Sequence, residues 1–157
     1  MISLKRYMFI ALPVAIVAIA GAVVSQEQSL KKNDVPKVIL DQFQKSYPKA
    51  TVKGYAKETD AGKIAYEIES TEGATHRDVS YNADGSVIAI EESMAFADMP
   101  EAVRTNVKKE YAKSKISTCE KVTEGDVVHY ELIVKTGKKN QELVYNADGT
   151  MVKKEKK

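Results

Sequence analysis

The sequence predicts an α+β protein made of two tandem units, each one helix followed by an antiparallel meander of about four strands, with the helices packed on one face of the sheet. Two observations lead there. A pentapeptide recurs, as Tyr81-Asn82-Ala83-Asp84-Gly85 and Tyr145-Asn146-Ala147-Asp148-Gly149, and within each repeat the apolar spacing changes from three or four residues to two. Sliding the chain over itself by the same offset, without a gap, also aligns Pro36 with Pro100, Tyr47 with Tyr111, Lys57 with Lys121, Tyr66-Glu67 with Tyr130-Glu131, Gly73 with Gly137 and Glu91 with Glu155. Chance does not produce that many matches in one register. The expected organisation is a segment 1–25, a linker 26–34, a first unit 35–92, a connector 93–98 and a second unit 99–156.

Each unit is read in the same order. Asp34 and Asp98 stand where an N-cap belongs, and Pro36 and Pro100 where a helix tolerates a missing N–H. The helical stripe is Val35, Val38, Ile39, Phe43 and Tyr47 in the first unit, and Met99, Ala102, Val103, Val107 and Tyr111 in the second. Pro48 ends the first helix, whereas Ala112 in its place leaves the second end less sharply marked. Weak strands at 51–57 and 117–123 follow. Then Ile64, Tyr66 and Ile68 alternate with Ala65, Glu67 and Glu69, and Val128, Tyr130, Leu132 and Val134 alternate with His129, Glu131 and Ile133. Such alternation marks strands with one buried and one wet face. Asn-Ala-Asp-Gly suits a three-residue hairpin loop, in which the Asn starts a type I turn and the Gly takes the left-handed position.

The chain has 157 residues, 24 Lys+Arg and 22 Asp+Glu, giving a formal charge of +2. Lys5 and Arg6 supply that surplus, because no acid precedes residue 26 and 22 bases then face 22 acids. A neutral working protein has no field to draw it to nucleic acid, so no nucleic-acid partner is expected. Residues 1–25 have a charged start, an apolar run from Met8 to Val24 and small residues before Gln26, the layout of a secretory signal peptide. Cleavage after Ala22 or after Ser25 fits, and the run is also about long enough to remain as an uncleaved anchor, the one expected membrane contact. A periplasmic or secreted location follows.

Candidate chemistry is sparse. Asn82, Asp84, Gly85 and Glu91 fall on calcium-loop positions, and Asn146, Asp148, Gly149 and Glu155 repeat them, but Ser80 and Val144 occupy the first position, where a carboxylate is needed. The hairpin turn accounts for the same residues, so no metal is expected. His76 and His129 are not equivalent in the two units and read as single wet-face histidines; lone Cys119 reads as a packing residue. No nucleophile elbow or phosphate loop is present, and the reading is of a protein that is not an enzyme and has no cofactor. The paired tyrosines read first as helix–sheet core, with their hydroxyls at its rim. A partner-binding surface, if the wet face carries one, is expected to draw on Tyr66, Glu67, Glu69, Tyr130 and Glu131, with Glu91 and Glu92 as further contributors.

As a set, the Val-Pro or Met-Pro helix start, the tyrosine near the helix end, the Tyr-Glu-Ile or Tyr-Glu-Leu strand and the Tyr-Asn-Ala-Asp-Gly hairpin resemble the PepSY-like domain, also called the beta-lactamase-inhibitor-like family. The resemblance implies a secreted bacterial module with a helix packed on an antiparallel sheet and no catalytic motif. It also implies binding or regulation of an envelope or extracellular protein, such as inhibition of a peptidase. The alternative is a structural or stress-related envelope protein without a specific enzyme target.

Overall fold

The computed structural model describes residues 26–60 and 63–156; the predicted signal segment lies outside them. Nine strands form one antiparallel sheet in which spatial order follows chain order. Strand β1 (Gln26–Ser29) precedes helix α1 (Lys37–Ser46), and β2 (Thr51–Asp60), β3 (Lys63–Glu72), β4 (Thr75–Tyr81) and β5 (Val87–Ser93) follow. Helix α2 (Glu101–Glu110) then leads into β6 (Lys115–Glu124), β7 (Val127–Thr136), β8 (Lys139–Tyr145) and β9 (Met151–Lys156). The two helix-plus-four-strand sets are the predicted architecture, with matching elements at the predicted offset.

Both helices cover one face of the sheet. Val35, Ile39 and Phe43 pack on Ile68, Val79 and Tyr81, with Tyr47, Tyr55, Tyr66 and Ile90 around them. Met99, Val103 and Val107 pack on Cys119, Leu132, Val134, Leu143 and Tyr145, with Tyr111 and Tyr130 beside them. The tyrosines therefore belong to the helix side, as core and rim. One buried cation sits there too. Arg77 donates from Nε to Glu92 Oε1 at 2.8 Å and from a terminal nitrogen to Glu72 Oε2 at 3.3 Å, and its guanidinium lies 4.1 Å from the Tyr47 ring centroid. A buried charge with two carboxylates and an aromatic face is well compensated.

Several local expectations change. The segment 26–34 is no linker: Gln26–Ser29 pairs with β2 as an edge strand, and a 3₁₀ turn spans Lys32–Asp34. Asp34 and Asp98 do not cap the α-helices, because each closes a 3₁₀ turn whose successor is extended, and Asp34 instead accepts the N–H of Lys31 at 3.2 Å. Pro36 and Pro100 are the N-cap residues, and a proline there sacrifices no helical donor. Strands β2 and β6 are ten residues long and bulged between Val52 and Gly54 and between Ile116 and Thr118. The halves join where β5 pairs with β6, from Ile90 against Thr123 to Ser93 against Glu120, and the Met94 N–H extends the seam to the Cys119 carbonyl at 2.9 Å.

The two Asn-Ala-Asp-Gly hairpins form as read. Gly85 and Gly149 have φ of +87° and +84°, and their N–H groups donate to the carbonyls of Asn82 and Asn146 at 2.9 and 3.0 Å. Each turn also lies under a helix. A Cβ on Gly85 would come within 2.9 Å of Val38, which explains why Val38 remains 47% exposed instead of buried: it covers the turn, not the sheet. A Cβ on Gly149 would meet Asn106 at 2.9 Å and Ala102 at 3.0 Å, and Asn106 Nδ2 donates to the Gly149 carbonyl at 2.8 Å.

Gly85→Val and Gly149→Val are accordingly expected to destabilise by about 1–3 kcal/mol, since strain at positive φ adds to steric contact. Gly73→Asn, at φ +60° with nothing within 4 Å of its Cβ position, should cost no more than a few tenths of a kcal/mol. Urea unfolding of the three variants checks the contrast.

Candidate functional site

The sheet face opposite the helices is the candidate site. Because side chains alternate along a strand, the pairing register identifies its members. One row crosses six strands in sequence, with Gly54 opposite Glu69, Glu69 opposite Asp78, Asp78 opposite Glu91, Glu91 opposite Val122 and Val122 opposite His129. A neighbouring row sets Ala56 against Glu67, Glu67 against Ser80 and Ser80 against Ala89. A third sets Ser93 against Glu120, Glu120 against Glu131, Glu131 against Val144 and Val144 against Lys153.

Two kinds of residue make up this face. Ala56, Ser80, Ala89, Val122 and Val144 are buried although no helix covers them. They form a floor of small side chains beneath longer ones, of which the carboxylates are the majority. Like charges placed directly opposite one another in a sheet are destabilising. Here Glu69, Asp78 and Glu91 stand opposite one another on three consecutive strands.

The electrostatics follow. Burial first, then Asp78, Glu91, Glu69 and Glu27, pushes Glu67 up to about 8. Burial, then Glu120, Asp78, Glu142 and Glu124, likewise pushes Glu91 up to about 8. Asp78 is raised to about 7 by burial and by Glu69 and Glu120. Carboxyl groups in such surroundings hold protons near neutral pH that they would release in the unfolded chain.

Of the five residues expected at a partner site, Glu67, Glu69 and Glu131 are on this face. Tyr66 and Tyr130 are on the other, opposite Tyr81 and Tyr145 and against the helix-side core. Glu91 is on this face as well, whereas Glu92 lies on the helix side, paired with Arg77; Asp78, Glu120 and His129 join the site without having been singled out for it. His76 is exposed at the start of β4, in keeping with a wet-face histidine, but His129 is only 7% exposed, and neither ring nitrogen has a hydrogen-bond partner. It stands opposite Val122, which is also buried.

Cys119 lies on the helix side in the second core, so the sheet separates it from His129. Burial, and secondarily Glu120, pushes its thiol up to about 11, away from nucleophilic use. Among the described residues no group of three or more His, Cys, Asp or Glu is placed to hold a metal ion. The calcium-loop positions serve the turns, where Asp84 Oδ1 accepts the Ser86 N–H at 2.9 Å and Asp148 Oδ1 accepts that of Thr150 at 2.8 Å.

Comparison with known proteins agrees with this architecture. The family model described as "Putative beta-lactamase-inhibitor-like, PepSY-like" matches the chain twice, over residues 22–89 and 64–153, and the protein belongs to that family. A BLIP-like protein from Bacteroides fragilis is similar in structure, with a TM-score of 0.63, 18% identity and coverage of 76% of this chain and 84% of that one. A DUF2874 family protein from Bacteroides ovatus has a TM-score of 0.64 at 18% identity, covering 77% and 86%. A "putative periplasmic" protein from Bacteroides eggerthii has a TM-score of 0.68 at 14% identity, covering 78% and 88%. At these identities the likeness establishes the fold. No curated protein matches the sequence.

The raised carboxyls make stability depend on pH with a definite sign. A carboxyl whose folded pKa exceeds its unfolded value near 4 favours the folded state when protonated, so this stability is present below about pH 4 and is lost as pH rises through 7 to 8. Melting at pH 8.5 should therefore fall several degrees below melting at pH 5. Glu91→Gln should raise the stability at pH 8.5 by about 1 kcal/mol and flatten the profile. Calorimetry across that range checks both.

Proposed function

We propose that the protein acts in the bacterial cell envelope, periplasmic or secreted, as a non-catalytic module that binds another protein through the open sheet face and so regulates an envelope enzyme, with a peptidase the first class to test. The observation behind this reading is the one-sided cover of the sheet. Nine strands lie side by side, and the helices pack on one face of the sheet alone. The other is broad, set on a floor of small residues and lined by side chains from seven strands or more. A face of that breadth suits a folded partner better than a small substrate, which favours a concave pocket with convergent polar groups.

Support for the location comes from the signal-like layout of residues 1–25 and from the "putative periplasmic" description of the Bacteroides eggerthii relative. Support for inhibition is the family description and the BLIP-like character of the Bacteroides fragilis relative. Glu67, Glu69 and Glu131 are the sequence-derived residues retained at this surface. Tyr66 and Tyr130 contribute by holding the strands against the helices.

The test uses uncharged steric blocks. Ala65→Trp and Thr118→Trp place bulk on the open face, and Thr105→Trp places it on the exposed side of α2. A saturable partner from envelope extract, identified by mass spectrometry and rebound in purified form, should lose at least tenfold affinity for the open-face variants alone. Equal binding by all three would overturn the assignment of this face.

A further inference from the structure

We infer that the partner presents a basic segment to the open face, its lysine or arginine side chains set against the Glu69–Asp78–Glu91 row, with His129 at the far end of that row. This rests on the reading of the open face as a protein-binding surface and adds the chemistry of what it receives.

The first observation is the row itself. Three carboxylates face one another on adjacent strands, and among the described residues none of the three has an ion pair with a lysine or arginine of this chain. Contrast Arg77 on the helix side, where one cation is held by two carboxylates. Nor is the row a by-product of an acidic composition, since residues 26–157 carry equal numbers of acids and bases.

The second observation is independent of the acids. His129 is nine-tenths buried on this same face, and both ring nitrogens lack hydrogen-bond partners. Leaving a buried polar group unsatisfied costs about 1–3 kcal/mol. Retention of such a group at the end of the row provides a polar anchor for a main-chain or side-chain group brought by the partner.

Spacing selects the form of the cation. Neighbouring strands are about 4.8 Å apart, so the outer two carboxylates of the row are separated by roughly 10 Å at the backbone. That separation matches basic residues at i and i+3 of a segment in the extended polyproline II conformation, which repeats every three residues at about 3.1 Å per residue and so brings both side chains to one side. A shared metal ion is a poor fit, as the described residues bring no three ligands together around one point. The proton affinity of Asp78 and Glu91 is raised first by burial and then by neighbouring carboxyls, and a cation docked on the row offsets the second of these causes.

The probe is a synthetic extended peptide with lysine at every third position, compared with its glutamine counterpart, by titration calorimetry on the exported protein. The lysine peptide should bind at low ionic strength and weaken steeply as salt rises, while the glutamine peptide should not bind. Glu69→Gln/Asp78→Asn/Glu91→Gln together should reduce affinity for the lysine peptide at least tenfold. These substitutions remove repulsion, so loss of folding does not confuse the result. A control set of Asp41→Asn, Glu101→Gln and Glu110→Gln, on the helices, should leave binding unchanged. His129→Leu should weaken binding by a smaller factor that salt does not abolish. Equal binding of both peptides, or equal loss in the control set, overturns the inference. Salt-sensitive self-association removed by the row variant would assign the row to a second copy of this chain, and also overturns it. Should an envelope partner bind the open face yet ignore the row variant, the basic chemistry fails while the proposed function stands.

Discussion

The structure depends on burial along a single side of its sheet. Ile39 and Phe43 from α1 and Val103 and Val107 from α2 remove Ile68, Val79, Leu132 and Leu143 from water, and each well-buried aliphatic side chain contributes about 1.5–3 kcal/mol. The same helices fix the hairpins: Val38 rests on Gly85, while Ala102 and Asn106 rest on Gly149. Helix position, turn conformation and strand register are thus one set of contacts made twice. The seam between β5 and β6 joins the two sets into a continuous sheet, and Met94 and Phe96 pack against the second core from the chain that crosses between them.

With the apolar cover spent on one face, the other face holds together by different means. Small residues close its floor, and the backbone ladder of a nine-stranded sheet provides cohesion that does not depend on side chains. Against that background the chain tolerates three carboxylates in direct opposition and a buried imidazole without hydrogen bonds. Each is locally unfavourable. Such departures from local consistency concentrate where a surface is shaped for something other than its own stability.

Much of this was legible in the sequence because the signals are local. The helical stripes, the proline starts, the Asn-Ala-Asp-Gly turns and the repeat offset each occupy a few neighbouring residues. Caps were less so: Asp34 and Asp98 have the right chemistry, but a 3₁₀ turn intervenes before each α-helix. The site was only partly readable. Tyr66 and Glu67 are adjacent in a strand, so alternation alone already places them on opposite faces. Glu69, Asp78 and Glu91 become neighbours only through pairing, because they lie on three separate strands and nothing local to any one of them sets the register between the strands. His129 reads as wet-face by alternation, and its burial appears only once Val122 and the rest of that row are in place.

Equal numbers of opposite charges in residues 26–157 do not make an electrically featureless object. Carboxylates crowd one face, while Lys57, Arg77, Lys121 and Lys154 are on the helix side of the sheet and Lys108 and Lys109 end α2. Such a molecule is a dipole oriented across its sheet. It experiences little net pull in a uniform field, yet it feels a torque in the field of a charged neighbour. A charged body nearby would thus orient the molecule without attracting it as a whole, a response that the charge balance of the chain does not reveal.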